Sequence, residues 1–149
     1  MNDPDTLPPP SEVPRSWKER LLIDGPPLLY IFGVFFACSI PIVPSVGVPL
    51  LSIDKVQHAL AFFGMQLLVH RALLHERVFA TERMNLVVAG VGCTAFGGFI
   101  ELWQTALPYR SGDWADLLAD ALGVLLGTGL IVALGRHRFP AQKAHESSG

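Results

Sequence analysis

Hydrophobic residues fall into four long runs separated by short polar islands. A helix needs about 20 mostly apolar residues to cross a membrane, and the runs lie at 27–42, 56–74, 84–108 and 114–134. The first should end near Ile42, because prolines follow at 41, 44 and 49 and proline disfavours helix in the residue before it. The pattern predicts an all-α, integral membrane four-helix bundle.

A soluble bundle is the alternative interpretation. It would place polar residues at outward helical positions throughout, whereas residues 122–134 offer almost none. Half of the chain is hydrophobic and 16% is charged, against about a quarter charged in typical soluble domains. We therefore expect a membrane domain at 26–135, with disordered cytosolic tails at 1–25 and 136–149 and a short interfacial helix near 16–23.

Basic residues predict the orientation of the bundle. All Lys and Arg residues except Lys55 and Arg110 lie in the tails or beside the loop between the second and third runs: Arg15, Lys18, Arg20, Arg71, Arg77, Arg83, Arg136, Arg138 and Lys143. Because cytoplasmic loops are enriched in Lys and Arg, both termini should be cytosolic, in the cytoplasmic (inner) membrane. The loops at Lys55 and Arg110 should then face outward.

Ionisable residues gather at this outer face, where helical spacing aligns them in three stripes. Residues three or four apart share one face of a helix. The stripes are Asp54 and His58; Glu101 and Gln104; and Asp113, Asp116 and Asp120, with Lys55 and Arg110 at the same face. Charged groups at membrane depth are costly and commonly mark functional sites, so we predict one polar ligand-binding pocket made of these nine residues.

Some of these residues have simpler explanations. Asp54 and Asp113 precede helices and are suited to cap them, while Lys55 and Arg110 could extend to the lipid headgroups. Glu101 and Asp120 lie too deep for caps, which favours a site or a buried pair. Gly123 and Gly127 form a small-residue ridge for close helix packing, expected within one chain against the third run, with homo-oligomer formation as a second use.

Other chemistries have little support. Neither cysteine has metal-site spacing, there is no HExxH, phosphate loop or nucleophile elbow, and no basic stripe favours nucleic acid. The sequence gives no reason to expect a cofactor or a resident metal ion. A membrane-embedded enzyme acting on a lipid-linked substrate stays open, with His58 or Glu101 as general acid or base and a carboxylate pair as a holder for a divalent metal ion in that case. A transporter fits less well, because no polar residues are expected to cross the inner half of the bundle.

The motifs resemble those of the VanZ-like family. The resemblance rests on Asp54-Lys55-x-x-His58, on Glu101-x-x-Gln104, and on Pro108-x-Arg110-x-x-Asp113-x-x-Asp116 followed by Gly123 and Gly127, and it covers residues 28–134. This family of small multi-span bacterial membrane proteins is named for a member linked to teicoplanin resistance. The resemblance implies a cell-envelope protein with a membrane lipid, cell-wall precursor or glycopeptide-type ligand, but no reaction. Asp120 departs from the family, which usually has Asn there.

Overall fold

Capping residues set where the helices of this computed structural model begin. The structure describes residues 16–40, 53–109 and 112–138, which form four helices and no β-strand: α1 (Trp17–Ser39), α2 (Ile53–Glu76), α3 (Glu82–Thr105) and α4 (Trp114–Arg138). The Thr81 side chain caps α3 by accepting from the Met84 N–H at 3.2 Å. Most of the predicted tails, and the prolines at 41, 44 and 49, lie outside the described residues.

The first helix begins earlier than the hydrophobic run suggested. Ser16 and Glu19 form a capping box, in which the Glu19 N–H donates to Ser16 Oγ at 3.3 Å and the Ser16 N–H donates to Glu19 Oε2 at 2.9 Å. Such a box satisfies free donors at a helix start. The predicted interfacial segment and first membrane span are therefore one helix, which continues through Pro26 and Pro27.

The surface of the bundle is apolar and its interior is partly polar. On the outside, Leu29 is 76% exposed and Leu118 is 71% exposed. On the inside, the polar residues Gln66, Asn85 and Asp120 are as fully buried as the apolar residues Phe62 and Ile100. Soluble domains show the reverse preference, with polar residues mostly exposed. The all-α membrane bundle predicted from the sequence is confirmed, and the protein is a multi-pass membrane protein.

The second helix differs from the other three. Among the described residues, α1, α3 and α4 are long and apolar enough to cross a membrane. The 24 residues of α2 span about 36 Å at 1.5 Å per residue, although their composition is more polar. This helix packs against all three others, and its polar residues His58, Gln66 and His70 are buried inside the bundle. Neighbouring helices therefore shield the polar face of α2 from lipid.

The glycine ridge of α4 packs against α2 and not against α3 as the sequence suggested. A Cβ on Gly123 would lie 2.9 Å from the Ala59 carbonyl carbon and the Phe63 nitrogen, and one on Gly127 would lie 3.1 Å from the Gln66 side chain. Small residues let helix backbones approach closely in membranes. Both glycines serve packing within the chain in this structure, and an oligomer formed through them stays a prediction.

Candidate functional site

Antiparallel connections bring four helix ends together. At this end of the bundle α1 and α3 finish and α2 and α4 begin. Two hydrogen bonds join the ends of α1 and α3: Gln104 Nε2 donates to the Cys38 carbonyl at 3.0 Å, and Tyr109 OH, just after α3, donates to the Ser39 carbonyl at 3.0 Å. We call the ionisable and amide side chains of this end the polar cluster: Asp54, Lys55, His58, Glu101, Gln104, Asp113, Asp116 and Asp120. Every predicted site residue is in it except Arg110, which lies outside the described residues.

Lys55 ties the start of α2 to the start of α4. Its ammonium group donates to Asp113 Oδ2 at 2.9 Å and to Asp116 Oδ1 at 2.8 Å. Asp116 is buried, whereas the Asp113 side chain is half exposed. The hydrogen bond from Lys55 lowers the pKa of the Asp113 carboxyl, since it stabilises the ionised form. Lys55 is therefore held inside the bundle end and does not simply extend to the headgroups.

Asp113 also has the capping role that its sequence position predicted. Its Oδ1 accepts from the Ala115 N–H at 2.9 Å, just before α4 begins. An Asp at this position satisfies one of the free N–H groups of the first turn. Its own backbone N–H donates to Glu101 Oε2 at 2.7 Å, so that α3 fixes the position of this cap.

His58 and Asp120 form a buried pair deeper in the bundle. His58 Nδ1 lies 2.9 Å from Asp120 Oδ1, within hydrogen-bond distance. Asp120 is completely buried and His58 nearly so. Gly97 makes room for the carboxyl, since a Cβ there would lie 2.7 Å from Asp120 Oδ2. The prediction that Asp120 lies too deep for a cap is confirmed, and its partner is a histidine.

A cavity of about 110 Å³ lies beside the polar cluster, between α1 and α2. Asp54, Gln57 and His58 form its polar wall. The remaining lining is largely apolar and includes Val34, Ala37 and Phe62. Asp54 occupies the first turn of α2, where a carboxylate interacts favourably with the helix dipole. The cavity thus joins polar groups to an apolar surface.

Further buried polar residues follow one face of α2. His58, Gln66 and His70 are separated by multiples of four, and Phe62 lies between the first two. Gln66 Nε2 donates to Thr128 Oγ1 at 3.1 Å. The expectation of no polar residues in the other half of the bundle is therefore wrong. The repeat of four along α2 was the signal that could have revealed it.

Among the described residues, two groups of three side chains have the composition of a metal site. In each group one nitrogen or oxygen atom per residue lies within 4.8 Å of the others. One group is Asp54, His58 and Asp116, and the other is His58, Glu101 and Asp120. His58 belongs to both, so its imidazole lies between the outer and the deeper carboxylates.

Comparison with known proteins agrees with this architecture. A sequence model of the VanZ/LLP1 family matches residues 15–135, which include all four helices apart from the last residues of α4. No curated protein and no solved structure shows significant similarity to the chain. The match extends over most of the sequence and includes every member of the polar cluster, and the chain belongs to the VanZ/LLP1 family.

Proposed function

We propose that this protein binds the headgroup of an envelope lipid, or of a lipid-linked cell-wall precursor, at the polar cluster in the cytoplasmic membrane. The cavity between α1 and α2 is the observation that carries the proposal. Its polar wall suits a headgroup, and its apolar wall suits the adjoining hydrocarbon. Ligand pockets commonly combine an apolar lining with a few well-placed polar groups.

Charge favours a headgroup that carries an amine. Carboxyl groups outnumber basic groups among the described members of the polar cluster, and Lys55 already binds Asp113 and Asp116. Asp54 lines the cavity beside His58. An ammonium group close to Asp54 would form a charge-assisted hydrogen bond, which is stronger than a neutral one. Arg110, if it also reaches the headgroup, would contact the phosphate.

Lipid selectivity tests the proposal. Purified protein is titrated with phosphatidylethanolamine or phosphatidylglycerol, and bound lipid is counted by native mass spectrometry. We expect wild-type protein to prefer the amine lipid, the Asp54→Asn variant to lose that preference, and the Asp24→Asn variant to keep it. Asp24 is a matched control because it lies in the first half of α1, away from the cavity lining. Equal binding of both lipids by wild-type protein would contradict the proposal.

A cellular readout addresses the antibiotic connection. The family resemblance also implies a glycopeptide-type ligand, and the family is named for a member linked to resistance to the glycopeptide teicoplanin. Host cells expressing wild-type protein should show altered teicoplanin susceptibility, and cells expressing Asp54→Asn should not. Identical susceptibility with both forms at equal expression would show that the proposed lipid site plays no part in teicoplanin resistance.

The His58–Asp120 pair favours a second function, a membrane-embedded enzyme. A buried carboxyl can orient an imidazole as a general base, and Glu101 lies within the same group of ligand atoms. Incubation with a lipid-linked pyrophosphate substrate tests this function. Turnover that disappears with His58→Gln would support it, and the absence of any turnover by folded wild-type protein would reject it.

A further inference from the structure

The deep part of the polar cluster contains three buried ligand groups from three different helices. His58 comes from α2, Glu101 from α3 and Asp120 from α4, and each is at least nine-tenths buried. One potential ligand atom from each lies within 4.8 Å of the other two. Close packing alone does not explain why helices that face lipid on the outside bring two carboxyl groups together at this depth.

Each of the two carboxyl groups has one oxygen with no hydrogen-bond partner among the described residues. Glu101 Oε2 accepts from the Asp113 N–H, whereas Oε1 is buried and unpartnered. Asp120 Oδ1 lies beside His58, whereas Oδ2 is buried and unpartnered. A buried acceptor without a partner is unfavourable, because it has lost its hydrogen bonds to water. These two oxygens are an observation separate from the clustering, and they point to an additional positively charged group.

Lys55, the basic residue that the structure describes at this end of the bundle, does not supply the positive charge near Glu101 and Asp120. Lys55 donates to Asp113 and Asp116, both closer to the start of α4 than Asp120 is. A divalent cation would balance the two deeper carboxylates in charge while His58 remains neutral. Balancing charge matters here because an uncompensated buried charge is strongly destabilising.

We propose that His58, Glu101 and Asp120 bind a divalent transition-metal cation, for which Zn²⁺ is the probe. One imidazole nitrogen with two carboxylate oxygens suits Zn²⁺, whereas Mg²⁺ and Ca²⁺ prefer oxygen ligands throughout. Metal–ligand bonds of about 2.0–2.2 Å place the ligand atoms of a tetrahedral site about 3.4 Å apart. His58 Nδ1 and Asp120 Oδ1 lie 2.9 Å apart, and one ligand atom from each of the three residues lies within 4.8 Å of the other two. Small side-chain movements would bring these atoms to that spacing.

The deeper group is preferred over the alternative group of Asp54, His58 and Asp116. In the alternative group Asp116 is already paired with Lys55 at 2.8 Å. Three protein ligands would leave one coordination position on the metal for water or another ligand atom. The inference does not depend on lipid binding, because the metal site can be tested in detergent without any added lipid.

Metal binding by untagged, full-length protein tests the inference. Protein treated with chelator is titrated with Zn²⁺ by calorimetry, and its metal content after dialysis is measured by mass spectrometry. We expect one Zn²⁺ per chain for wild-type protein. Glu101→Gln and Asp120→Asn should each weaken binding by more than about 100-fold, since outer-shell changes alone commonly weaken it 10- to 100-fold.

Asp54→Asn is the matched control. It removes a carboxylate from the same bundle end and should abolish the lipid preference proposed above. It removes no proposed Zn²⁺ ligand, so it should weaken Zn²⁺ binding much less than Glu101→Gln or Asp120→Asn does. Failure of lipid selectivity and failure of metal binding are thus distinguishable. Wild-type protein with less than about 0.1 Zn²⁺ per chain would overturn the metal site, as would unchanged affinity in both Glu101→Gln and Asp120→Asn.

X-ray absorption at the zinc edge keeps the inference testable if those variants do not fold. The wild-type protein should show a first coordination shell of nitrogen and oxygen at about 2.0–2.2 Å, without sulfur. A sulfur shell at about 2.3 Å would contradict the proposal, because it would place the metal at a cysteine.

Discussion

Replacing Gly123 with alanine should weaken the contact between α2 and α4. The new Cβ would lie 2.9 Å from the carbonyl carbon of Ala59 and from the nitrogen of Phe63. The carbonyl oxygen of Ala59 would be closer still. Ordinary contacts begin near 3.4 Å, so the two backbones would have to separate by more than about 0.5 Å. Backbone atoms cannot rotate away as a side chain can. Overpacking of this kind commonly costs about 1–3 kcal/mol.

Gly129→Ala in the same helix is the matched control. A Cβ there meets nothing within 4 Å, and alanine is the better helix former by up to about 1 kcal/mol. Reversible unfolding in mixed micelles with increasing SDS, followed by circular dichroism, measures both free energies of unfolding. Gly123→Ala should be less stable than wild type, and Gly129→Ala at least as stable. Equal stability of the two variants would refute the close α2–α4 packing.

Three further predictions concern the polar cluster and the orientation of the chain. Lys55→Met should lower the free energy of unfolding in the same assay by about 1–3 kcal/mol, because it leaves the buried Asp116 carboxyl without its partner. Adding Asp116→Asn should restore much of the loss, and additive losses would contradict the pairing. The ion pair holds the pKa of Asp113 below 3.8, so its stabilisation is present above that pH and lost as pH falls through the folded-state pKa. Melting curves between pH 5 and 2 should therefore show a shallower acid loss for Asp113→Asn, and parallel curves would count against it. A reporter fused to the C-terminus should be cytosolic, and an external reporter would reverse the predicted orientation.

Much of the fold follows from hydrophobic run lengths alone. Four apolar runs predicted four helices, and alternating direction placed Lys55 and Asp113 at one bundle end, as the structure shows. Helical spacing placed Asp116 and Asp120 on one stripe. Local chemistry also predicted the cap at Asp113. These features depend on local sequence and on the length that a membrane imposes.

The partners within the polar cluster could not be predicted in the same way. Which carboxyl meets Lys55 and which meets His58 depends on how α2 and α4 are rotated relative to each other. The close approach of Gly123 to Ala59 shows which faces of the two helices meet, and the sequence alone did not predict it. The continuity of α1 was also missed, because the sequence predicted a short interfacial helix near 16–23 apart from the first apolar run, whereas one helix continues through Pro26 and Pro27.

The interior polar residues of α2 were missed for a related reason. Gln66 was counted as part of a hydrophobic run, and only the packing of α4 reveals that its amide meets Thr128. Asn85 is likewise buried, and its amide donates to the Phe79 and Thr81 carbonyls at 3.2 and 3.0 Å. A hydropathy average does not distinguish a polar residue that faces lipid from one that faces a neighbouring helix.

An experimental density map of the protein purified with its native lipids tests the central claim most directly. The account predicts density for a lipid in the cavity between α1 and α2, with its headgroup against Asp54 and His58 and its hydrocarbon along Val34. A cavity filled only by protein side chains, or a lipid whose hydrocarbon end contacts Asp54, would contradict headgroup binding at the polar cluster.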